Sequence, residues 1–586
     1  MNNARIAVKL EQLADLLEFQ GSNPFRLRAY RTGARLIRDL GEPVAAILND
    51  TERKLTDIPG IGKGVAEKCI AILETGELPQ LQAILEEIPA SVLDLLRIPG
   101  LGPRKAAVLF NKRNIQNLDQ LKAACEAQEI RNLEGFGEKS EQTILAGIGI
   151  AAAANERIYW RDADQLAGDL RLHFSGCAGV HQFEFAGSYR RGKETVGDLD
   201  ILVDSQQGEV AMDRLADFPE LESVIGRGKT KMSIRLHNGF QIDLRVVPSE
   251  SFGAALQYFT GSKDHNVAVR GRAKQLGLKV NEWGVFREVD DISVAGSSEE
   301  EVYAAIDLPW IPPELREART EIELSEANQL PKLISLSEIR GDLHMHTTAT
   351  DGKATLQEMI TAARSRGLEY IAITDHSKRV AMANGLDENR LLQQWAEIDE
   401  INMSLPQGFV VLKGIECDIL EPGGMDLPND VLEQADWVLG AIHYGQNQSV
   451  QQITDRLLGA IENPHVHCIA HPTGRLINKR EPYDVNMDQV FAAAKKHDKV
   501  LELNANPARL DLNDVYCAAA QSAGIPIAIN TDAHSLGGLD VMKYGINQAR
   551  RGGLTGFDVV NSWSLDTFLK KLGRVSPSQG PSSGAN

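Results

Sequence analysis

FEFAGSYRRGKETVGDLDILV, residues 183–203, decides the architecture of the first half of this chain. Two short apolar runs flank a glycine-containing turn, which predicts a strand, a turn and a second strand. The second strand carries Asp198 and Asp200, and residues two apart on a strand point to the same face. A further predicted strand, FQIDLRVV at 240–247, carries Asp243. Three converging carboxylates need cations between them, so the pattern predicts two divalent ions serving phosphoryl transfer.

The neighbouring motifs favour a metal site over an ordinary solvated strand end. GSYRRGKETVGDLD at 187–200, YFTGSKDHN at 258–266 and VNEWGVF at 280–286 resemble the family X, polymerase β-like DNA polymerases. The resemblance covers residues 1–317. It implies a nucleotidyltransferase fold in which the three aspartates bind two catalytic Mg²⁺ ions, the metal that suits oxygen ligands and substrate phosphates.

The same resemblance implies a pocket for a deoxynucleoside triphosphate. The residues that would hold the triphosphate are Gly187, Ser188, Arg191 and Gly197. Those that would line the sugar side are Tyr258, Phe259 and Gly261. Those that would lie along the minor-groove side of the new base pair are Asn266 and Arg270. Arginine suits bidentate phosphate contact independently of the family, whereas two adjacent aromatic residues alone would be typical of an ordinary core.

Three segments of the N-terminal region, which its apolar spacing predicts to be helical, resemble one another. They are IPGIGKGVAEKCI at 58–70, IPGLGPRKAAVLF at 98–110 and LEGFGEKSEQTIL at 133–145. Each has Gly-x-Gly before a helix, and these glycines let the first backbone amides of the helix approach a phosphate. One copy is a common turn between packed helices, but three in tandem indicate helix-hairpin-helix binding to DNA. The glycines concerned are Gly60, Gly62, Gly100, Gly102, Gly135 and Gly137.

The first repeat also carries Lys68, at the position where family X enzymes have a lysine that forms a Schiff base with 5′-deoxyribose phosphate. Tyr30 matches the family as well. A Schiff-base lysine needs cationic neighbours, yet Arg26 stands in place of a lysine and LPQLQAILEE at 78–87 replaces a lysine-rich stretch. Two interpretations therefore stay open, a lyase lysine and an exposed lysine on a helix surface.

The second half of the chain alternates strands and helices. Apolar, β-branched runs separate helices predicted to begin near 355, 387, 449, 487 and 512, which is typical of a parallel β/α barrel. Acidic residues and histidines recur at the carboxyl ends of the strands, the catalytic face of such a barrel. A single histidine there would be typical of the scaffold, but nine residues predict a metal centre. They are His344, His346, Asp351, His376, Glu416, His443, His471, Asp532 and His534.

This cluster resembles the PHP family, the polymerase and histidinol phosphatase domain, over residues 338–575. The resemblance implies three metals. The ligands of the first would be His344, His346, Glu416 and Asp532. Glu416 would bridge to a second metal held by His443 and His471, and the ligands of the third would be Asp351, His376 and His534. Imidazole with carboxylate suits Zn²⁺ or Mn²⁺, and all nine positions are present.

The motifs predict a multidomain fold in which an all-α region precedes an α+β region and an α/β distorted barrel. The predicted segments are a lyase-like helical domain at 1–80, helix-hairpin-helix fingers at 81–150, a palm at 151–250, a thumb at 251–317, a linker at 318–337, the PHP domain at 338–575 and a disordered Ser-, Pro- and Gly-rich tail at 576–586.

Composition excludes several classes of protein. The 586 residues are 43% hydrophobic and carry a net charge of −19, with a pI near 5.3. The chain is therefore neither disordered nor a polycation that wraps DNA. Backbone amides, bound cations and local basic patches must hold any DNA. The six cysteines form no CxxC motif, and the sequence shows neither a signal peptide nor a membrane-spanning run. These features predict a soluble, cytoplasmic protein with reduced thiols.

Together the two resemblances predict a DNA repair enzyme related to the bacterial and archaeal family X polymerases that carry a PHP domain. It would fill gaps in base excision or end repair, using dNTPs and gapped or nicked DNA with a 5′-phosphate, alongside other repair proteins and without a membrane. The barrel would act as a 3′ to 5′ exonuclease, process 3′ ends and cleave at abasic sites. Two alternatives stay open: a DNA-end binding and bridging protein with residual polymerase activity, and a small-molecule phosphatase in the barrel.

Overall fold

The structure of the chain is a computed structural model. The described residues are 3–40, 44–50, 53–89, 91–96, 98, 101–133, 135–138, 140–142, 144–145 and 157–573. The chain divides into two compact units, one of residues 1–158 with 212–244 and the other of residues 159–211 with 245–586. Gly100 and the predicted disordered tail lie outside the described residues.

The first unit is mainly helical, as its apolar periodicity predicts. Its described helices are Asn3–Phe19, Pro24–Arg38, Val44–Asn49, Lys63–Thr75, Pro79–Glu87, Val92–Leu95, Pro103–Arg113 and Leu118–Glu126, with a 3₁₀ turn at Leu55–Asp57. The side chain of Asn23 caps the second helix by accepting a hydrogen bond from the amide of Phe25, and such a cap stabilises a helix by about 1 kcal/mol. Leu10, Ile37 and Ile72 are fully buried in the core between these helices. Each such residue stabilises the fold by about 1.5–3 kcal/mol.

Strands follow in the same unit. Leu221–Arg227 pairs antiparallel with Lys231–Leu236. The strand Gln241–Val247, which carries Asp243, has residues in both units, and so does the helix Gly208–Ala216. The predicted strand at 240–247 is therefore present.

The first part of the second unit contains the quoted stretch 183–203. Its strands Gln182–Phe185 and Asp198–Asp204 are antiparallel, with Phe185 opposite Ile201. The turn between them contains the short helix Gly187–Arg190 and the strand Thr195–Val196. The other helices of this part are Trp160–Phe174, Phe252–Thr260, Lys263–Gln275 and Glu299–Ala304, with a 3₁₀ turn at Ser249–Ser251. A second sheet contains the antiparallel strands Leu278–Asn281, Gly284–Arg287 and Ser293–Ala295.

The segment predicted as a linker has more structure than its sequence indicated. It contains the helix Glu321–Glu326, between 3₁₀ turns at Pro313–Leu315 and Leu336–Glu338. Glu321 is buried and lies 2.7 Å from Nδ1 of His265. The segment is therefore packed against the thumb helix that carries His265, a contact that spans 56 residues of sequence and so leaves no local signal.

A barrel of seven parallel strands completes the second unit. In order the strands are Gly341–Asp342, Tyr370–Ile373, Val410–Asp418, Trp437–Ala441, Cys468–Ile469, Val500–Asn504 and Ile527–Asn530. Beyond the ends of the first and last strands, the amide of His346 donates to the carbonyl of Ala533 and the amide of Asp532 donates to the carbonyl of His344, both at 2.9 Å. These bonds bring the two outer strands of the sheet together, so the barrel is nearly closed.

Helices surround the barrel as the alternation of the sequence predicts. They are Leu356–Ser365, Glu388–Ser404, Asn429–Leu432, Val450–Glu462, Met487–Lys496, Asp514–Ala523, Met542–Arg551 and Leu565–Lys571. The predicted starts are confirmed to within two residues. Side chains of Thr355, Asp387, Ser449, Asn486 and Asn513 cap five of these helices, which explains why the helices begin there.

Two further features of the structure concern its cysteines and the length and polarity of its helices. All six cysteines are free thiols, and all except Cys177 are buried. Within the described part of the chain, the helices are too short or too polar to cross a lipid bilayer.

Candidate active sites

The nine acidic and histidine residues of the barrel meet at one end of it. All lie at or just beyond the carboxyl end of a strand, except Asp351, which lies in the loop after the first strand. Seven of them line a cavity of about 420 Å³, together with Arg509, Val380, Met382 and Ala383. The parallel strands place their carboxyl ends at the same edge, which is why residues up to 190 apart in sequence converge here.

Glu416 lies at the centre of this cluster. Its Oε1 is 3.0 Å from Nε2 of His471 and 3.4 Å from Nε2 of His443, and its Oε2 is 2.8 Å from Nδ1 of His376. Nε2 of His344 and Nε2 of His346 are 3.5 and 3.7 Å from the same Oε2. One carboxylate therefore touches five imidazoles, a position from which it can bridge metals.

A second group of ligand atoms surrounds Asp351. Its carboxylate is 3.6 Å from Nε2 of His376 and 3.4 Å from Nε2 of His534, and Nδ1 of His346 is 4.0 Å away. The potential ligand atoms of these four residues lie within 4.8 Å of one another. This group matches the trio expected for the third metal, with His346 close enough to join it.

The remaining carboxylate, Asp532, lies beside the first pair of histidines. Its Oδ1 is 3.2 Å from Nε2 of His346 and 3.6 Å from Nε2 of His344. His344, His346 and Glu416 form a further set of ligand atoms within 4.8 Å, and so do His376, Glu416 and His443. The structure thus brings all nine residues to one end of the barrel, in groups that overlap those the resemblance implies. His376, rather than His471, completes the set with Glu416 and His443.

The donor atoms fit metal ions rather than a closed hydrogen-bond network. In the described part of the chain, Nε2 of His344 and Nδ1 of His346 are buried and have no hydrogen-bond partner. Buried polar atoms are otherwise almost always paired. A divalent ion could bind these two unpaired imidazole nitrogens together with the carboxylates that they face. Imidazole with carboxylate suits Zn²⁺ or Mn²⁺.

Mutual attraction keeps Glu416 and His344 charged despite burial. Burial alone would raise the pKa of Glu416, but His443, His376 and His344 hold it well below its ordinary value. Burial alone would lower the pKa of His344, yet the carboxylates of Glu502, Asp532 and Glu416 raise it well above its ordinary value. The carboxylates are therefore in the form that binds cations, and metals would replace protons on the imidazoles.

Two buried carboxylates that the sequence did not single out orient these histidines. Oε1 of Glu502 lies 2.7 Å from Nδ1 of His344, and Oδ1 of Asp418 lies 3.1 Å from Nδ1 of His443. Both contacts turn Nε2 of the ring toward Glu416. Acceptors of this kind fix the tautomer of a metal-binding histidine and make it a better ligand. The only signal in sequence was a charged residue within an otherwise apolar strand.

Arg509 is the permanent cation of the cavity, and the sequence did not single it out either. Its Nε lies 3.8 Å from Oδ2 of Asp532, and its side chain is partly exposed toward the opening. Exposed Met382 lies at the same rim. A guanidinium beside metal ligands suits contact with a phosphate.

In the second unit, Asp198 and Asp200 lie two residues apart on the strand Asp198–Asp204, so both side chains point to one face as predicted. The adjoining turn supports Asp200. The amide of Ala186 donates to the carbonyl of Asp200 at 2.8 Å. Gly187 has a φ of +62°, and a Cβ there would lie only 2.3 Å from Oδ2 of Asp200. The turn therefore needs glycine both for its backbone and for the space that the carboxylate occupies.

Asp243 belongs to the first unit, and it is nearly buried. Gln241 donates from Nε2 to its Oδ1 at 2.9 Å, and Nζ of Lys231 lies 2.9 Å from its Oδ2. Burial opposes ionisation, but Ser233 and Lys231 hold the pKa of Asp243 below its ordinary value. The carboxylate is therefore charged at neutral pH. Its meeting with Asp198 and Asp200 stays a prediction.

The predicted triphosphate residues occupy the turn between the two strands. Arg191 donates from Nε to Oε1 of Glu317 at 3.1 Å and from Nη1 to the carbonyl of Thr260 at 2.5 Å. Ser188 is half-buried and Gly197 is exposed. The guanidinium of Arg191 is thus already paired with the carboxylate of Glu317, and a triphosphate would have to compete with that carboxylate for it.

The predicted sugar-side aromatic residues are half-buried, and Phe259 packs against a buried apolar cluster. Tyr258 and Phe259 pack edge to face with ring centroids 5.2 Å apart, and the guanidinium of Arg245 lies 4.1 Å from the centroid of Phe259. Gly261 ends their helix. Asn266 is buried and donates to the carbonyl of Tyr258 at 2.7 Å, so in this structure it supports that helix end. Arg270 is exposed.

The helix-hairpin-helix glycines have the geometry that close approach requires. Gly62 and Gly102 are the N-caps of Lys63–Thr75 and Pro103–Arg113, with no side-chain cap on either helix and open space where a Cβ would stand. Gly60 and Gly135 have φ of +92° and +83°. Gly137 also has open space around it. The amides of the first turn of Lys63–Thr75, and those that follow Pro103 in the other helix, are therefore available to an anion.

The proposed lyase residues lie in the same unit. Lys68 is half-buried in Lys63–Thr75, and Tyr30 is buried. Arg26 donates from Nε to the hydroxyl of Tyr30 at 3.3 Å and its guanidinium lies 5.7 Å from the centroid of the tyrosine ring. One cation thus stands beside Tyr30, and lyase chemistry at Lys68 stays a prediction.

Models of known protein families match successive parts of the chain. The matching family descriptions are helix-hairpin-helix domain at 1–78, SAM-like helix-hairpin-helix tandem at 92–149, DNA polymerase beta palm at 157–237, DNA polymerase beta thumb at 255–317 and PHP domain at 342–506. The matches to helix-hairpin-helix, palm, thumb and PHP families agree with the fold predicted from the sequence.

Some known proteins are similar to nearly the whole chain, and others are similar to a part of it. The DNA polymerase/3′-5′ exonuclease PolX of Bacillus subtilis is 40% identical over 583 residues, which is 97% of this chain and 100% of the relative. A probable phosphatase of Caldicellulosiruptor bescii is 30% identical over 33% of this chain and 79% of its own length. DNA polymerase lambda of Rattus norvegicus is 26% identical over 54% of this chain and 56% of its own length.

Proposed function

This chain belongs to the PolX family of DNA polymerases, and from that membership we propose that it fills short gaps in DNA at one active site and degrades 3′ ends at the other. The observation that carries the proposal is the presence of two sites of different donor chemistry. One offers carboxylates on the strand Asp198–Asp204, and the other gathers five histidines around Glu416. Oxygen donors and imidazole donors select different metals.

In the polymerase site, Asp198, Asp200 and Asp243 would hold two Mg²⁺ ions. Such ions, when bound, stabilise the charge on the attacking and leaving oxygens of phosphoryl transfer. The strand keeps Asp198 and Asp200 on one face, and Gly187 leaves room for the carboxylate of Asp200. Lys231 keeps Asp243 ionised until a cation replaces the contact.

The nucleotide would lie between the turn at 187–193 and the helix Phe252–Thr260. Ser188 and Arg191 would contact its triphosphate, since a guanidinium can donate two parallel hydrogen bonds to phosphate oxygens. Tyr258 and Phe259 would support the sugar, with Arg245 holding the ring of Phe259 in place.

In the barrel, the nine residues would hold up to three Zn²⁺ or Mn²⁺ ions. Such ions, when bound, activate water and polarise phosphoryl oxygens. Glu502 and Asp418 hold His344 and His443 in the tautomer and orientation that present Nε2. Arg509 would bind a phosphate of the DNA strand beside the metals.

DNA would be held chiefly through backbone amides. The N-terminal ends of Lys63–Thr75 and Pro103–Arg113 can bind phosphates without basic side chains, which suits a chain of net charge −19. The substrate would be gapped or nicked DNA with a 5′-phosphate, in base excision or end repair alongside other repair proteins. A DNA substrate is consistent with the predicted cytoplasmic location.

A phosphatase function of the barrel is the second candidate. Relatives that match 33% and 40% of this chain are called probable phosphatases, and the cavity of the barrel could accept a small phosphate monoester as well as a DNA end.

Three substrates given to the purified full chain would separate the candidates: a primed duplex with a short gap, a single-stranded 3′ end and a small phosphate monoester. The proposal predicts gap filling with Mg²⁺ and 3′ degradation with Mn²⁺, both far faster than monoester hydrolysis. Monoester hydrolysis without degradation would support the phosphatase. Binding to gapped DNA without extension would support an end-bridging protein.

A further inference from the structure

A helix of the barrel packs directly on the predicted nucleotide turn of the polymerase half. In the second unit, Met542–Arg551 contacts residues 191 and 192. Nδ2 of Asn547 donates to the carbonyl of Gly192 at 3.3 Å, and Nη1 of Arg551 donates to the carbonyl of Arg191 at 2.7 Å. Gly192 has a φ of +66°, and a Cβ there would lie 2.2 Å from Oδ1 of Asn547. A side chain at this position would require Asn547 to move.

Arg551 also joins a buried network of charges. Its side chain is only 2% exposed, and it lies 3.0 Å from Oε1 of Glu317 and 2.7 Å from Oδ2 of Asp514. Asp514 in turn contacts Arg319 at 3.0 Å. An unpaired charge at such a depth would be costly, so the network holds its members in a fixed arrangement.

Glu317 connects this network to the proposed triphosphate residue. Besides Arg551, it contacts Nε of Arg191 at 3.1 Å and Nζ of Lys193 at 3.3 Å. Burial would raise the pKa of Glu317, but the charges of Arg551, Lys193 and Arg191 lower it to about 2. The carboxylate is therefore ionised, and it competes with any triphosphate for the guanidinium of Arg191.

We propose that Arg551, a residue of the barrel, is a positioning residue for nucleotide binding at the polymerase site. It fixes the backbone of Arg191 and neutralises part of the charge of Glu317, which leaves the Arg191 guanidinium able to move onto a triphosphate. The inference rests on the proposed polymerase function. It assigns the barrel a second role that does not involve its metal centre.

The test is steady-state gap filling by full-length Arg551→Met at varied dNTP concentration, beside the nuclease activity of the same preparation. Loss of a charged hydrogen bond should raise the KM for dNTP about tenfold, which is about 1.4 kcal/mol of binding free energy. The kcat should change less, because the variant alters nucleotide binding and leaves the aspartates in place. Nuclease activity should stay within about twofold, because Arg551 contacts Arg191, Glu317 and Asp514, and none of the nine residues of the metal centre, in the part of the chain that the structure describes.

The adjacent residue provides a matched control. Arg550 also links the barrel to the polymerase half, through Nε to Oε1 of Glu314 at 2.7 Å and Nη1 to the carbonyl of Ile334 at 3.0 Å. Neither contact touches the nucleotide turn. Arg550→Met should therefore leave the KM for dNTP unchanged, even if it lowers the melting temperature.

A second substitution tests the role of Glu317. In Arg551→Met, adding Glu317→Gln removes the carboxylate that competes for Arg191, so the KM should return to within about threefold of wild type. An unchanged KM in Arg551→Met, an equal rise in Arg550→Met, or equal losses of polymerase and nuclease activity would overturn the proposal. Absence of gap filling by the wild type would instead refute the proposed function itself.

If Arg551→Met does not fold, Arg551→Lys decides the question, since it keeps the charge but loses the second donor group. A raised KM with intact nuclease activity would support the proposal. An unchanged KM, or failure of both variants to fold, would assign Arg551 a purely structural role and overturn it.

Discussion

Single residues place the carboxylates of the two sites. In the polymerase half, Gly187 takes a left-handed backbone conformation and leaves the space that Oδ2 of Asp200 fills. In the barrel, Glu502 is fully buried and holds His344 through Nδ1. Glu502 is not expected to touch the reacting atoms, yet each of the two residues determines where a metal ligand points.

Gly187→Ala should abolish most nucleotide insertion. A Cβ would lie 2.3 Å from Oδ2 of Asp200, so the carboxylate must move, and misplacing a reacting group by about 1 Å can cost about a hundredfold in rate. Primer extension on gapped DNA measures the effect. Gly168→Ala is the control, because a Cβ there meets open space in a helix. Equal extension by the two variants would show that the turn does not support Asp200.

Glu502→Gln should weaken metal binding in the barrel while leaving gap filling intact. The amide keeps the size of the side chain but removes the charge that favours His344 as a ligand, and losses of this kind typically cost about 10- to 100-fold in metal affinity. Titrating Mn²⁺ into chelator-treated protein and following 3′ degradation gives the affinity. A wild-type Mn²⁺ dependence would remove Glu502 from the metal centre.

At the scale of elements, two helix starts explain how an acidic chain can hold DNA. Lys63–Thr75 and Pro103–Arg113 both begin after an N-cap glycine with open space around it. The amides of their first turns carry partial positive charge and need no counterion release from basic side chains. Binding should therefore depend on backbone access more than on lysine.

Gly62→Val should weaken binding to gapped DNA more than Lys63→Ala does. The valine side chain would stand where a phosphate must approach, whereas alanine removes only a side-chain charge. A binding titration at several salt concentrations compares the two, with melting curves to exclude unfolding of the helical unit. A larger effect of Lys63→Ala, or a steep salt dependence typical of many phosphate contacts, would contradict binding through amides.

Local sequence signals could predict some of the site residues and not others. Strand ends and helix starts are local signals, so the positions of His344, His376 and Asp532 followed from the order of strands and helices alone. Glu502 did not stand out, because one carboxylate on an apolar strand is locally indistinguishable from other charged strand residues. The pairing of Arg551 with Glu317 spans 234 residues and has no local pattern.

The segment 318–337, predicted as a linker, is more ordered than its sequence indicates for the same physical reason. Glu321 is held by His265, and Arg319 by Asp514 of the barrel. Both partners are distant in sequence, and charged residues in a Pro-containing stretch look solvent-exposed until their partners are known.

At the scale of the whole molecule, two sites on one chain would each carry out one of the two activities. The aspartates at 198 and 200 lie on a strand of the polymerase half, and Glu416 lies at the mouth of the barrel, without a shared ligand among the described residues. Damage to one metal site should therefore spare the other. Coupling through Arg551 would affect nucleotide affinity alone.

The most direct test measures gap filling and 3′ degradation on one folded preparation each of Asp198→Ala and Glu416→Ala. Asp198→Ala should lose nucleotide insertion and keep nuclease activity within about twofold of wild type, and Glu416→Ala should show the reverse. Extension by Asp198→Ala within a few-fold of wild type, or persistent nuclease activity in Glu416→Ala, would contradict the assignment of one activity to each site.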